Sequence, residues 1–170
     1  CRQTAPMLVG EGGHAVACHR WRELPPPASL LPAESDANTR LARLQARYAG
    51  ARTVRVFYEI WNAPLYTIGG DHLISQALRM CGGENVFAAL TLPAPGVSVE
   101  AVLAARPQAI LAGADGAVRP AWLDDWKRWP TLPAVALGNL YTVDANLLHR
   151  AGPRFVDGVE MLCATLAEAR

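Results

Sequence analysis

The stretch that most constrains this chain is a short β-branched run that leads into an aromatic, proline- and glycine-bearing connection. It reads Val54-Arg55-Val56-Phe57-Tyr58-Glu59-Ile60-Trp61-Asn62-Ala63-Pro64-Leu65-Tyr66-Thr67-Ile68-Gly69-Gly70. Val54, Val56 and Phe57 favour a buried strand over a helix. Pro64 and Gly69-Gly70 then impose an irregular connection before the next helix can start. In open α/β sheets, ligands settle where such connections leave the carboxyl ends of strands, so Tyr58, Trp61 and Tyr66 are the first candidates for ligand contact. The competing reading is that these rings fill the core beneath the loop.

The 170 residues, 51% of them hydrophobic, suffice for one core, or for one core with an appended segment. Charged residues make up 18% and the formal net charge is +1, which argues against a nucleic-acid binder. No apolar run approaches the roughly 20 residues that cross a bilayer, and residues near the start lack the basic-then-apolar pattern of a signal peptide. The chain is therefore expected not to span a membrane. It begins at Cys1 rather than Met, which suits a processed protein or a piece of something longer.

Residues 1–35 carry few periodic apolar positions and include Pro25-Pro26-Pro27, so an irregular segment of unclear origin is expected there. His14, Cys18 and His19 lie close together, but structural zinc wants four ligands and no second pair follows at finger spacing, so no metal site is assigned. Asp36 or Asn38 can cap a helix with Leu41, Leu44 and Tyr48 on one side and Arg40, Arg43 and Arg47 on the other; Gly50 stops it. A second helix is expected over His72–Met80, with Leu73, Ile74, Ala77, Leu78 and Met80 inward and Cys81-Gly82-Gly83 at its end. Asn85-Val86-Phe87 then reads as a brief strand.

Ser98 is the expected N-cap of a short helix that contains Val99, Val102 and Leu103, with Glu100 in its first turn. Arg106-Pro107 ends that helix, and Gln108–Leu111 reads as the next buried strand, followed by a loop over 113–116. Residues 120–129 form a helix whose Trp122 and Trp126, four apart, share a face; packing is the first reading of that stripe. Leu132–Leu137 and Asn139–Val143 read as two short strands, and Asp144–Arg150 as a second strand-end loop. Gly152-Pro153 opens the last helix, with Phe155, Val156, Val159, Leu162, Cys163 and Leu166 on one stripe. Alternating strands and helices of this kind predict an α/β domain, an open and mostly parallel sheet with helices on both faces.

Cys81 ends one helix and Cys163 lies on the inward stripe of the last, so the two could meet if both helices cover the same part of the sheet. A disulfide is expected, with two buried thiols in a reduced protein as the alternative. Cys1 and Cys18 have no such partner.

Taken in order, Val54–Gly70, Met80–Phe87, Val97–Leu103, Arg106–Ile110 and Arg150-Ala151-Gly152-Pro153-Arg154 resemble the second lobe of periplasmic cobalamin-binding proteins. These are substrate-binding proteins of ABC importers in the helical-backbone class, in which one long helix joins two α/β lobes that clamp the ligand. The similarity covers about residues 38–168. It implies that 36–50 is the end of the interlobe helix, that 51–170 is the C-terminal lobe, and that the first lobe lies outside this chain. It also implies a periplasmic location, a corrinoid ligand such as cobalamin, an inner-membrane permease as partner, no resident cofactor and no catalysis. Phe57–Trp61 matches the family's first ligand-facing loop, and Asn146 and Arg150 match the polar pair that reaches the ligand's amide-rich rim. The family often has Asp at the position of Asn146, and an aromatic near the position of Ala94. Glu100 matches the acidic residue that docks on permease arginines, and Cys81 with Cys163 matches a disulfide of relatives.

Three other readings remain open on the sequence. A siderophore or haem carrier of the same architecture would call for converging basic residues, for which Arg150 and Arg154 are the candidates. An enzyme on a doubly wound sheet lacks support from any glycine-rich phosphate loop, Gly-x-Ser-x-Gly elbow or Cys-x-x-Cys. An interaction domain would be favoured if Trp61 and Arg150 were buried and satisfied within the core.

Overall fold

A computed structural model describes residues 9–11, 14–16, 32–116, 118–152 and 154–170. The chain divides into two compact units, Cys1–Asp36 and Ala37–Arg170. In the first, β1 (Val9–Glu11) and β2 (His14–Val16) pair antiparallel, with β-branched Val9 opposite Val16, so this segment is not wholly irregular as expected. Cys1, Cys18 and His19 lie outside the described residues. Helix α1 runs Pro32–Tyr48 and so starts before the expected caps Asp36 and Asn38. Proline is tolerated in a first helical turn, where its missing N–H has no intrahelical partner to lose.

The second unit is built on a four-stranded, all-parallel sheet in the order β6-β3-β7-β8: β3 is Val54–Glu59, β6 Gly83–Asn85, β7 Ala109–Ala114 and β8 Leu140–Asp144. The chain lays β6 on one side of β3, then crosses to place β7 and β8 on the other. The connections after β3 and β7 therefore part company at their carboxyl ends, the switch point at which open α/β sheets form a crevice.

Strand periodicity sorts the core into two layers. On β3, Val54, Val56 and Tyr58 enter one layer and Phe57 the other; on β7, Ala109 and Leu111 alternate likewise with Ile110 and Ala112. The first layer is covered by α2 (Leu73–Met80), α5 (Ala145–Leu148) and α6 (Phe155–Glu168), and by Leu41, Leu44 and Tyr48 of α1. The second is covered by α3 (Val99–Ala105), by a 3-10 helix over Ala121–Arg128 and by α4 (Pro133–Ala136). Arg40 of α1 donates from Nη2 to Asp157 at 2.7 Å and from Nε to Glu160 at 2.9 Å, which ties α1 to α6. Cys81 and Cys163 are bonded, with a Cα separation of 4.8 Å.

Several boundaries differ from expectation for local reasons. The strand expected at 85–87 is Gly83–Asn85, because the Asn85 side chain accepts from Phe87 N and turns the chain out of the sheet. The strand expected over 132–137 is the helical turn α4: Pro133 has no N–H for a ladder, and Leu132 O accepts from both Val135 and Ala136. Gly113 and Ala114 belong to β7 rather than to a loop, and the loop expected at 144–150 contains α5, capped by Asp144. The tryptophan helix is 3-10, so Trp126 meets Trp129, three residues on, with ring centroids 5.5 Å apart. Leu73 is 40% exposed, whereas Ile74, Ala77 and Leu78 are buried.

Candidate functional site

The connection that leaves β3 is held rigidly. A two-residue-per-strand hairpin, β4 (Trp61–Asn62) with β5 (Leu65–Tyr66), pairs Trp61 with Tyr66 and Asn62 with Leu65. Thr67 Oγ1 donates to Tyr58 O at 2.7 Å, Ser75 Oγ to Gly69 O at 2.7 Å, and Asn85 Nδ2 to Ile68 O at 2.9 Å. Gly69 N and Gly70 N reach Pro93 O and Leu90 O of the segment after β6. That approach is so close that a Cβ on Gly69 would lie 2.1 Å from Leu92 O, and one on Gly70 2.1 Å from Ala88 O. His72 then caps α2, its Nδ1 accepting from Ile74 N at 3.1 Å.

On this frame the three aromatic candidates part ways. Trp61 is 55% exposed and Tyr66 39%. Tyr58 is fully buried in the first core layer, so its ring packs beneath the loop instead of facing outward. Its hydroxyl shares a 3.0 Å hydrogen bond with His149 Nε2, and burial pushes its pKa upward. Gly113 permits this contact, since a Cβ there would lie 3.1 Å from both the His149 ring and the Tyr58 hydroxyl. Burial first, and then His72, lower the His149 pKa, while Asp115 acts in the opposite sense.

After β8, Asp144 Oδ1 accepts from Asn146 N at 2.8 Å and starts α5. Asn146 and Arg150 are exposed and, together with Asp144, Gly152 and Arg154, line a cavity of about 410 Å³. Neither Arg150 nor Arg154 forms an ion pair with a described residue. Both groups of candidates thus leave the carboxyl edge of one sheet, Trp61 and Tyr66 from β3, Asn146 and Arg150 from β8, but neither Trp61 nor Tyr66 lines the cavity of Asn146 and Arg150. Glu100 lies apart, exposed in the first turn of α3, where Ser98 Oγ accepts from Ala101 N; hydrogen bonds from its own backbone N–H and from Ser98 lower its pKa.

A larger cavity of about 480 Å³ lies at the end of α1, lined by Gln45, Tyr48, Gln76 and Arg79 among others. It lies away from the carboxyl ends of the strands, where Trp61, Tyr66, Asn146 and Arg150 emerge. Among the described residues, no cluster of three or more His, Cys, Asp or Glu is placed to hold a metal ion, and no helix is long and apolar enough to cross a membrane.

Sequence reasoning did not single out Glu59, Gly113, Asp115 or His149. Glu59 is 1% exposed, its Oε2 accepts from Trp126 Nε1 at 2.8 Å, and burial pushes its pKa up to about 7. An acidic residue closing an otherwise apolar strand was the available signal for it.

No protein-family model matches the chain. It is 33% identical over 136 residues to the vitamin B12-binding protein of Vibrio vulnificus, covering 78% of this chain and 48% of that protein. It is 35% identical over 145 residues to the vitamin B12-binding protein of Salmonella choleraesuis, covering 85% and 52%. The chain therefore spans about half the length of the curated relatives it matches. Among solved structures it superposes on the periplasmic vitamin B12 binding protein BtuF of Vibrio cholerae with a TM-score of 0.70 at 32% identity, covering 79% of this chain and 52% of that one. The periplasmic heme-binding protein RhuT from Roseiflexus, at 17% identity and a TM-score of 0.73, shares the fold. In sequence and in fold, the chain resembles the periplasmic vitamin B12-binding proteins over about half of their length.

Proposed function

We propose that residues 51–170 are the C-terminal lobe of an ABC-importer substrate-binding protein for cobalamin or a related corrinoid, and that 36–50 are the end of its interlobe helix. The observation that carries this reading is the placement of Trp61 and Tyr66 on the β3 side, and of Asn146 and Arg150 on the β8 side, of one carboxyl edge. A corrinoid is a broad, partly apolar disc rimmed with amides. Exposed indole and phenol rings cover apolar area, while an amide and a guanidinium hydrogen-bond the rim and fix orientation. Tyr58 acts from beneath, by holding His149 against Gly113. A facing lobe would complete the clamp and remove water from it.

Nothing in this role needs a reacting group; binding and release suffice. The protein would work in the periplasm and hand its ligand to an inner-membrane permease, with Glu100 as a docking carboxylate for permease arginines. The vitamin B12-binding relatives support the ligand class, and the exposure of Glu100 supports the docking role.

The test is tryptophan fluorescence, corrected for inner-filter effects, during titration with cyanocobalamin. Saturable quenching that is lost in Trp61→Ala is the expected result; no response by the wild-type chain, either alone or with a vitamin B12-binding first lobe supplied, would refute the corrinoid reading. One observation favours a second ligand class: Arg154 joins Arg150 in the same cavity, as an anionic iron chelate or haem would require. A ferric siderophore and haem belong in the same titration, and tighter binding of either would reassign the site.

A further inference from the structure

We propose that the space beside Glu59 is a second ligand site, for a small alkylammonium ion, formed where the buried Glu59 carboxylate meets Trp122, Trp126 and Trp129. Four observations lead there. First, Glu59 is 1% exposed, and among the described residues the one hydrogen bond to its carboxylate is from Trp126 Nε1. An anionic oxygen without a cation in such surroundings is costly. Second, Glu59 lines a cavity, and no hydrogen bond to its other carboxylate oxygen is made among the described residues.

Third, that cavity, about 160 Å³, is lined by three indoles and two carboxylates, Glu59 and Asp125, with Arg128 as its one cationic neighbour. Arg128 is exposed and engaged by Asp125 at 3.1 Å, which leaves the Glu59 charge unanswered. Indole faces attract cations through their quadrupole, most strongly where water is excluded, and a carboxylate supplies the counter-charge. Fourth, the site lies on the opposite side of the β4–β5 hairpin from the candidate corrinoid contacts. Neighbouring residues of a strand point to opposite faces, and Asn62 and Leu65 line this cavity while their neighbours Trp61 and Tyr66 do not. The proposal therefore stands or falls independently of the corrinoid reading.

Among the described residues that line the cavity, the titratable neighbours of Glu59 are Asp125 and Arg128, while the hairpin contributes Asn62 and Leu65 and α3 contributes Val99; Glu100 of α3 and Asp124 and Lys127 of the 3-10 helix are not in the lining. Burial pushes the Glu59 carboxyl up to about 7, the Trp126 hydrogen bond opposes this and Asp125 adds to it, so a cation bound at the carboxylate competes with a proton.

Tetramethylammonium chloride is the probe, followed by tryptophan fluorescence at constant ionic strength, with tert-butanol as the neutral isostere. Saturable binding is expected, tighter by about tenfold at pH ~8 than at pH ~6 and accompanied by proton release. Glu59→Gln keeps an acceptor for Trp126 Nε1 but removes the charge; it should weaken binding at least tenfold and abolish the pH dependence. Trp122→Ala, at a half-buried position, should weaken binding severalfold and serves if Glu59→Gln does not fold. No saturable response to tetramethylammonium, equal binding of tert-butanol, or unchanged affinity in either variant would overturn the proposal.

Discussion

Glu59 and Tyr58 are adjacent on β3 and enter opposite core layers, and their surroundings give them opposite consequences. For Glu59 the folded pKa of about 7 lies above the ordinary 4.5, so between those values the folded chain holds more protons than the unfolded one. Stability therefore falls as pH rises from about 4.5 to about 7, by up to about 3 kcal/mol from this group. Glu59→Gln should remove that slope, as chemical denaturation of both chains at several pH values would read. His72 and His149 act in the other sense, because burial lowers both pKa values and stability is lost as pH falls through the histidine range. The difference between the two chains, not the wild-type profile alone, isolates Glu59. Tyr58→Phe deletes the 3.0 Å bond to His149, and the expected cost is about 1 kcal/mol by the same denaturation measurement. At this scale the sequence identified aromatic residues at a strand end but not which faced inward: Tyr58 follows Phe57, and both are buried because the sheet is covered on both faces.

Among the elements, the connection from β3 to α2 depends on backbone contact more than on side chains. Its glycines touch carbonyls of the segment after β6, and any Cβ on Gly69 would overlap Leu92 O at 2.1 Å. Gly69→Ala should cost about 2 to 4 kcal/mol and lower the melting temperature, whereas an alanine at Gly152, where no atom lies within reach of a Cβ, should be nearly neutral. The sequence marked Gly69-Gly70 as a break in regular structure. It did not show that the reason was a second segment pressed against them. The same holds for α4, where Pro133 within an apolar run read as a strand until Leu132 O and Pro107 O supplied helical and tertiary partners for Val135, Ala136 and Ala134. The caps were more legible, since Ser98 and Gly82 act within one turn of their own helices: Ser98 accepts from Ala101 N, and Gly82 has φ +75°.

The whole second unit is closed by links between residues far apart in the chain. The Cys81–Cys163 bond spans 82 residues and joins the end of α2 to α6. On the chain-entropy account, replacing both cysteines by alanine should cost about 4 kcal/mol, read as a shift in denaturation midpoint that reducing agent reproduces in the wild-type chain. Arg40 makes a comparable link between α1 and α6, but with exposed carboxylates, so Arg40→Ala should act weakly and in a salt-dependent way. For ligand binding, Arg150→Ala should weaken corrinoid affinity about tenfold while leaving the melting temperature unchanged, because the side chain is exposed and has no protein ion-pair partner among the described residues.

The sequence by itself determined what depends on neighbours along the chain: the buried β3 run, the stripe of α6, the Ser98 cap and a glycine stop at Gly82 or Gly83, and hence an α/β unit. Tertiary structure alone decided what depends on partners distant in sequence. Strand order placed the switch point between β3 and β7, and the two-sided core buried Tyr58. Packing of the 3-10 helix over β3 brought Trp126 to Glu59, across 67 residues of chain. Periodicity reports which face of an element is apolar, but not which other element will cover it. A carboxylate's pKa and a cavity's lining are properties of that covering.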